Sequence, residues 1–301
     1  MREIREILNR LSALADGEKA TLATVVDVRG SGYRLPGARM LILADGSTVG
    51  TVSGGCLEAD VLERAKKVLA SGVAEVFTYD TTGDEDSVFS LNMGCRGVID
   101  IRLEPVDRDS SLIDEMRLAY EERQPSDDFE IPIAVLLFGA GADAVPFGRI
   151  AAELGWQVTV YDHRPAFLTV ERFPDAKYLH LQSHDEKPEI SVDDRTAAVV
   201  MTHNYSRDKL ILPALIEADL FYLGLLGPRR RTEQLLEEVN RDGARLTPKK
   251  LEKLYAPVGL DIGADTPEAI ALSIIGEIQS VLTKRKGGHL RKRKGSIYDR
   301  K

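Results

Sequence analysis

The chain has 301 residues, of which 43% are hydrophobic and 29% charged, with a formal net charge of −8 at neutral pH. This length allows two domains with a core each, and this composition excludes a disordered or fibrous chain. No apolar run approaches the ~20 residues that a membrane span needs, and MREIREILNR lacks the apolar stretch of a signal peptide. We therefore expect a cytoplasmic protein that does not bind membranes, with its two cysteines present as free thiols.

Residues 1–123 are predicted to form an α/β domain with a mixed sheet. Apolar residues at helical spacing from Ile4 to Leu14 indicate an amphipathic helix. The strands ATLATVVDV and ARMLILA follow, and Asp45-Gly46 indicates a hairpin into STVGTV. A helix, LEADVLERAKKVLASG, is expected to end at Gly72. AEVFTYD and the alternating stretch GVIDIRLE complete the strands, and a helix is expected near residues 112–123.

The second half is predicted to be a Rossmann-like, doubly wound parallel sheet over residues 134–283. RQPSDDFEIP combines prolines with acids and indicates a linker, which we place at residues 124–133. Beyond it, the apolar strands IAVLLFGAG, WQVTVYDH, AAVVMTHN and LFYLGLLG alternate with helices, as in a parallel sheet buried on both faces.

Residues 284–301 are expected to be a basic, disordered tail. The last 18 residues carry nine Lys or Arg against one Asp, so this tail has a net charge of about +8 and the remaining chain about −16. Such a tail could contact nucleic acid or an acidic partner. The acidic body instead argues against a nucleic-acid partner.

LLFGAGADA is the strongest mechanistic motif in this half. Gly139 and Gly141 follow an apolar strand and precede a helix, Ala144 stands where a third glycine is common, and Asp162 ends the next strand. Glycines allow a tight turn and close phosphate approach, a helix N-terminus favours an anion, and the acid can accept hydrogen bonds from a ribose. The motif predicts the Rossmann fold, whereas the fold does not fix the ligand.

Two further groups follow strands that end at the same sheet edge. MTHNYSRD contains His203 and Asp208, and GLLGPRRR contains Gly227, Arg229 and Arg230. A histidine after a strand is often a capping or surface residue, but arginines at a helix start oppose the helix dipole. A bound phosphate would explain them, because guanidinium pairs with phosphate through two hydrogen bonds.

The N-terminal half contains none of the common hydrolase, zinc or nucleotide motifs, yet both thiols lie in glycine-rich turns. SGGC places Cys56 after Gly54 and Gly55, and MGCRG places Cys95 between two glycines. The glycines can serve tight turns alone. They can also leave room for a ligand to approach the sulfur.

These motifs together resemble a known family. GSGYRLPGARM, GTVSGGCLEADVLERA and GCRGVIDIRLEPV resemble the N-terminal domain of the XdhC/CoxI family, the accessory factors of xanthine dehydrogenase and related molybdenum hydroxylases. LLFGAGADA, VVMTHNYSRD, YLGLLGPRRR and APVGLDIGADTPEAIALSIIGEI resemble that family's Rossmann domain. The resemblance spans residues 20–282. Tyr33 stands where proline is frequent, and Ala142-Asp143 replaces a more usual continuation of the glycine loop.

The resemblance implies an accessory factor rather than a turnover enzyme. Such a chaperone binds molybdenum cofactor, as molybdopterin or its dinucleotide, while a cysteine desulfurase replaces an oxo ligand by sulfide. It then inserts the cofactor into an apo xanthine dehydrogenase-type hydroxylase. A homodimer and NAD(P) as a second cofactor are further expectations. The candidate cofactor-binding residues are Arg34, Gly54, Gly55, Cys56, Cys95, Gly139, Gly141, Asp162, His203, Asp208, Gly227, Arg229 and Arg230, with Cys56 and Cys95 as molybdenum contacts.

Two alternatives stay open at this point. An NAD(P)-dependent oxidoreductase explains Gly139, Gly141 and Asp162 but gives the thiols no role. A redox-sensing adaptor with a reversible disulfide explains the cysteines but not the Rossmann motif.

Overall fold

The chain folds into two compact units. The computed structural model describes residues 1–82 and 97–294. The units are Met1–Ile131 and Pro132–Lys301, and the boundary between them falls within residues 124–133. None of the described helices is long and apolar enough to cross a bilayer.

The first unit is a five-stranded sheet with helices. In chain order its elements are α1 (Arg2–Ser12), β1 (Ala20–Gly30), β2 (Arg39–Leu43), β3 (Thr48–Gly50), α2 (Glu58–Ser71), β4 (Glu75–Asp80), β5 (Gly97–Val106) and α3 (Ser111–Glu121). The strand order is β3-β2-β1-β5-β4. The α/β class is confirmed.

The expected mixed sheet is corrected to an antiparallel one, because every strand pair that the structure describes in this unit is antiparallel. Short turns suffice between β2 and β3, whereas a parallel pair would need a longer crossover. The long central strand β1 lies between β2 and β5 in the sheet.

Helices cover both faces of this sheet. On one face, Leu22 and Leu41 pack with apolar residues of α1 and α3. On the other, Val25, Met40 and Ile101 pack with α2. The alternation predicted for β5 is present, with Ile99, Ile101 and Leu103 buried and Asp100, Arg102 and Glu104 half-buried. As expected, α2 is followed by Gly72 in the left-handed conformation at its C-cap.

The second unit is the predicted doubly wound parallel sheet. Its elements are β6 (Ala134–Phe138), α4 (Ala144–Glu153), β7 (Gln157–Asp162), β8 (Tyr178–Leu181), β9 (Thr196–Val200), α5 (Tyr205–Glu217), β10 (Tyr222–Leu225), α6 (Arg229–Arg241), α7 (Pro248–Leu251), β11 (Leu254–Tyr255) and α8 (Pro267–Leu282). All described pairs are parallel.

The strand order β8-β7-β6-β9-β10-β11 is that of a Rossmann fold. The chain reverses direction across the sheet between β6 and β9, and ligands of such sheets bind beyond the carboxyl ends of these strands. Of the basic tail expected at residues 284–301, the structure describes 284–294, with a 3-10 turn at Leu290–Lys292. Its expected disorder stays a prediction.

Candidate functional site

In the first unit, the turn that carries Cys56 is held by a carboxylate. We call residues 51–57, between β3 and α2, the cysteine loop. The Ser53 hydroxyl accepts hydrogen bonds from the N–H groups of Gly55 (3.1 Å) and Leu57 (3.2 Å) and donates to Glu58. Glu58 also accepts from the Ser53 N–H at 2.9 Å and from the Thr51 hydroxyl at 2.6 Å. Glu58 therefore fixes the course of the loop.

The ionisation of Glu58 reflects these contacts. Partial burial alone would raise the pKa of Glu58, but hydrogen bonds from Ser53 and Thr51 outweigh it and hold the pKa below the ordinary 4.5. Sequence reasoning missed this residue. Its signal was a glutamate in the first turn of a helix, five residues after a serine.

The cysteine loop leaves the Cys56 thiol exposed. The sulfur lies 3.7 Å from the Ser53 hydroxyl oxygen. Gly54 and Gly55 are exposed, and Gly55 has a φ of +106°, a conformation that favours glycine. A Cβ on Gly54 would lie 3.3 Å from Tyr33, so the aromatic ring covers one side of the turn. A ligand can thus approach the sulfur in this unit.

Two other candidate residues of the N-terminal half are Cys95 and Arg34. Cys95 lies outside the described residues, so the expectation that the two thiols converge stays a prediction. Arg34 forms an ion pair with Glu3 of α1, and Glu3 also accepts from the Arg39 N–H at 3.3 Å. Arg34 would have to exchange this partner to bind a phosphate.

In the second unit, Gly139 is required by packing. It has a φ of +109°, and a Cβ there would overlap the Met201 carbonyl group, 2.7 Å from its carbon. The β6–α4 turn thus lies directly against the end of β9, where no side chain fits. This explains the glycine without a phosphate.

A carboxylate lies over the glycine loop, which we define as residues 139–143. Asp143, at the N-cap of α4, is buried and accepts a hydrogen bond from His203 Nε2 at 3.0 Å. A Cβ on Gly141 would lie 3.1 Å from the Asp143 carboxylate and 3.7 Å from His203 Nε2. His203 has a φ of +55°, and its side chain is 59% exposed. The loop that was predicted to receive a phosphate therefore already faces a negative charge.

Asp162 is engaged on all sides. Its carboxylate accepts from the Ala140 N–H (2.7 Å), from the Arg164 N–H (2.9 Å) and from the Arg164 guanidinium (2.8 and 2.9 Å). Burial would raise the pKa of Asp162, but these hydrogen bonds lower it to about 2. A ribose hydroxyl would have to displace one of these donors. Ala140 and Arg164 therefore compete with the predicted ribose for the Asp162 carboxylate.

Asp208 joins two helices. It accepts hydrogen bonds from Thr202 and from Arg231 Nη2, the latter at 2.7 Å, and it is buried. Burial raises the pKa of Asp208 above the ordinary 3.8, against the lowering effect of these two donors. Through its ion pair with Arg231, Asp208 connects the first turn of α5 to the first turn of α6 and orients the Arg231 side chain.

An open cleft lies beyond the carboxyl end of β10. It has a volume of about 780 Å³, and His203, Gly227 and Arg231 line it together with residues 257–258 and 260–265 and two residues of α8, Ile270 and Ser273. Arg229 and Arg230 are exposed in the first turn of α6 and are not among the lining residues. The structure thus places two of the predicted residues, His203 and Gly227, at this cleft. The arginine that lines it is Arg231, the third in the sequence RRR.

No metal centre is visible in the parts of the chain that the structure describes. Residues 1–82 and 97–294 contain no group of three or more His, Cys, Asp and Glu side chains placed to hold a metal ion.

Fold and site together define a class: a two-domain protein that combines an antiparallel α/β unit, bearing an exposed thiol in a glycine turn, with a Rossmann unit. Residues 13–80 match the sequence model described as the XdhC and CoxI family, and residues 135–278 match that of the XdhC Rossmann domain. The chain belongs to the XdhC/CoxI family.

Its relatives cover both units. A Bacillus subtilis (strain 168) protein, named as a probable subunit of xanthine dehydrogenase, is 32% identical over 88% of this chain and 94% of its own. The molybdenum cofactor insertion chaperone PaoD of Escherichia coli (strain K12) is 26% identical over 90% of this chain and 86% of its own. A crystal structure from Bacillus halodurans, described as a xanthine dehydrogenase, superimposes with a TM-score of 0.78 at 28% identity, over 95% of this chain and 97% of the other.

Proposed function

We propose that this protein is a molybdenum cofactor chaperone, which holds the cofactor for sulfuration and inserts it into a xanthine dehydrogenase-type molybdenum hydroxylase. The observation that carries this function is the similarity to an insertion chaperone over 90% of the chain, which extends through both units. The chaperone function is therefore proposed for the whole chain and not for the Rossmann unit alone.

The cysteine loop suits such a cargo. A thiolate is a soft ligand, and molybdenum bound to a dithiolene is soft enough to accept it. Cys56 is exposed beside glycines that leave space around the sulfur. In the proposed role, Cys56 contacts the metal or the transferred sulfur, and Glu58 keeps the loop in position through Ser53. Cys95 is proposed as a second contact on sequence grounds.

The partners follow from the chemistry of the cargo. A cysteine desulfurase would carry the sulfur as a persulfide, from which a thiol reductant would release sulfide with formation of a disulfide. That sulfide would replace an oxo ligand, and the oxygen would leave as water. The apo-hydroxylase would then receive the sulfurated cofactor. We propose that these steps take place in the cytoplasm, on a homodimer of this chain.

The alternative of an NAD(P)-dependent oxidoreductase has less support. Its adenosine half would need the glycine loop and Asp162, but Asp143 lies over Gly141 and Asp162 accepts four hydrogen bonds from the chain itself. NAD(P) binding stays a prediction.

Cofactor retention tests this function. Purified full-length protein is incubated with molybdenum cofactor and separated by gel filtration, and molybdenum is counted per chain. We expect the wild type to retain cofactor and Cys56→Ser to retain less, because a serine hydroxyl cannot replace a thiolate toward a soft metal. Glu63→Gln, on the exposed side of α2, is the control. A wild type that retains no molybdenum contradicts the function.

The second cysteine is tested in the same assay. If both thiols contact one cofactor, Cys95→Ser also lowers retention, and the double variant is little worse than the weaker single one, because groups that act as a unit are not additive. Wild-type molybdenum content in both single variants contradicts the thiol assignment and leaves the chaperone function standing.

A further inference from the structure

We propose that the cleft of the second unit binds a phosphorylated ring with a 2-amino-4-oxo pyrimidine edge, the edge that pterin and guanine share, and that the phosphate does not bind at the glycine loop. This inference rests on the proposed function, because the organic part of the cargo is a pterin phosphate.

The glycine loop of the second unit already holds a carboxylate. In a dinucleotide-binding Rossmann fold, the backbone beside the second glycine receives the pyrophosphate at the helix N-terminus. Here the Asp143 carboxylate lies at the N-cap of α4, next to Gly141, and is hydrogen-bonded to His203. A second anion at this place would be repelled by the first. Asp143 does not cap α4 through its side chain, so its effect on this loop is the charge that it places beside Gly141.

Arg231 and His203 offer hydrogen-bonding groups to a ligand in the cleft. Arg231 donates one N–H group to Asp208 and a second to the Leu226 carbonyl oxygen, the latter at 3.5 Å. A guanidinium has five N–H donors, so others are left for a ligand, and the side chain is 23% exposed. Because the Asp143 carboxylate only accepts, His203 Nε2 carries a hydrogen, which leaves Nδ1 for a ligand.

The anion has a defined place near these residues. Gly227 has a φ of +131° and precedes Pro228, the N-cap of α6, which has no side chain to cap the helix. The free N–H groups of this first turn and Arg231 favour a phosphate. Exposed Arg229 and Arg230 add positive charge beside the cleft.

The cleft also offers apolar and acidic side chains to the ring of the ligand. Leu226, Val258 and Ile262 give the cleft an apolar lining. Asp261 and Asp265 line it as well, both are exposed, and neither accepts a hydrogen bond within the described part of the chain. A carboxylate pairs through two hydrogen bonds with an amino group and a neighbouring ring N–H, the arrangement on a 2-amino-4-oxo pyrimidine.

The cleft is also preorganised. Glu277 of α8 accepts from the Tyr222 hydroxyl at 2.6 Å and from the Gly259 N–H at 2.9 Å, so it joins β10 to the segment that lines the cleft. A Cβ on Gly259 would overlap Ser273, which shows how closely this segment lies on the helix. A volume of about 780 Å³ is within the range of small-molecule sites.

A matched pair of substitutions tests the proposal on the full chain. Ala264→Trp fills the cleft, and Ala142→Trp fills the space at the glycine loop; Ala264 lines the cleft and Ala142 is exposed. Binding of 6-hydroxymethylpterin phosphate is followed by quenching of pterin fluorescence. We expect Ala264→Trp to weaken binding at least about tenfold and Ala142→Trp to leave it within about twofold. The reverse order overturns the proposal, as does a wild type that does not bind this probe.

Two further arms identify the ligand chemistry. GMP and NADH are titrated as competitors. Tighter binding of the pterin phosphate than of GMP supports a pterin ligand, and tighter binding of GMP supports the same ring edge with a guanine nucleotide as its source. Tighter binding of NADH that Ala142→Trp abolishes overturns the proposal. Asp261→Asn with Asp265→Asn is expected to weaken the pterin phosphate and leave competition by inorganic phosphate unchanged.

Retention of molybdenum cofactor by the same proteins separates the two hypotheses. If the wild type retains cofactor and Ala264→Trp retains it equally well, the cleft assignment fails and the chaperone function stands. If the wild type retains no cofactor but binds the pterin phosphate in the cleft, the function fails and the cleft assignment stands.

Discussion

Asp162 is predicted to stabilise the second unit rather than to bind a ribose, and Asp162→Asn tests this. Although burial would raise its pKa, the hydrogen bonds from Arg164 and Ala140 bring it to about 2, against an ordinary 3.8. Each pKa unit corresponds to about 1.4 kcal/mol, so the ionised carboxylate contributes about 2 kcal/mol at pH 7. Asparagine keeps the shape and loses the charge. We therefore expect the free energy of unfolding to fall by about 2 kcal/mol.

The sign of the pH dependence follows from the lowered pKa. The stabilisation is complete above about pH 5, decreases as the pH falls from about 4 toward 2, and is absent below about 2. The difference between wild type and Asp162→Asn should therefore shrink in acid. Urea unfolding followed by circular dichroism at pH 7 and pH 3 measures it, with exposed Asp194→Asn as the control. A loss below about 0.5 kcal/mol at pH 7, or an equal loss at both pH values, would refute the reasoning.

Three other substitutions test how the loops are built. Glu58→Gln should weaken the hold on Ser53 by about 1–2 kcal/mol, lower cofactor retention and change the rate at which a thiol reagent modifies Cys56, and an unchanged rate speaks against the role of Glu58. Gly139→Ala should destabilise the protein by about 3 kcal/mol or more in urea unfolding, because its Cβ meets Met201, whereas Gly243→Ala, at a φ of +103° with open space around it, should cost only about 1 kcal/mol. Equal costs at the two glycines would contradict the packing argument. Glu277→Gln should weaken binding of pterin phosphate in the cleft severalfold, and unchanged affinity would show that the segment keeps its place without this carboxylate.

The Rossmann unit could be predicted from the sequence because its signals are local. β6, β9 and β10 are buried apolar strands that are each followed by a helix, and such units connect parallel neighbours with one handedness. The edge strands β8 and β11 were not predicted, because β8 is exposed and has no helix between it and β9, and β11 has only two residues. The glycines after β6 then mark the edge where ligands bind.

The N-terminal sheet was less predictable because its decisive contacts are distant in sequence. Alternating residues in β5 showed which side chains would be buried, but periodicity says nothing of the neighbouring strand. β1 pairs with β5, with Ala20 opposite Val106 and Gly30 opposite Gly97. This long antiparallel pair joins the two halves of the sheet, β3-β2-β1 and β5-β4, and no local sequence pattern predicts it.

In the candidate sites, too, features with a local sequence signal could be predicted and features that depend on tertiary contacts could not. Sequence reasoning selected Cys56, His203 and Gly227 as candidates, since thiols in glycine turns and residues after strands are local features, and the structure places Cys56 at the surface and the other two at the cleft. It also selected Arg229 and Arg230, whereas the arginine that lines the cleft is Arg231. The binding roles of these residues stay predictions. Three consecutive arginines look alike in sequence, and only the direction of each on α6, set by the pairing of Arg231 with Asp208, separates them.

The glycine loop shows why a Rossmann fold alone does not identify a ligand. A helix N-terminus favours a bound phosphate, but a carboxylate of the chain close to the same loop opposes it. Here the Asp143 carboxylate lies beside Gly141 without capping α4, and it accepts a hydrogen bond from His203, which lines the cleft. The two units offer different chemistries: an exposed thiol in the first, and in the second a partly apolar cleft lined by Arg231 and by the carboxylates of Asp261 and Asp265. The metal dithiolene of a molybdenum cofactor would give the thiol of the first unit a role, whereas a nicotinamide dinucleotide would leave that thiol without one.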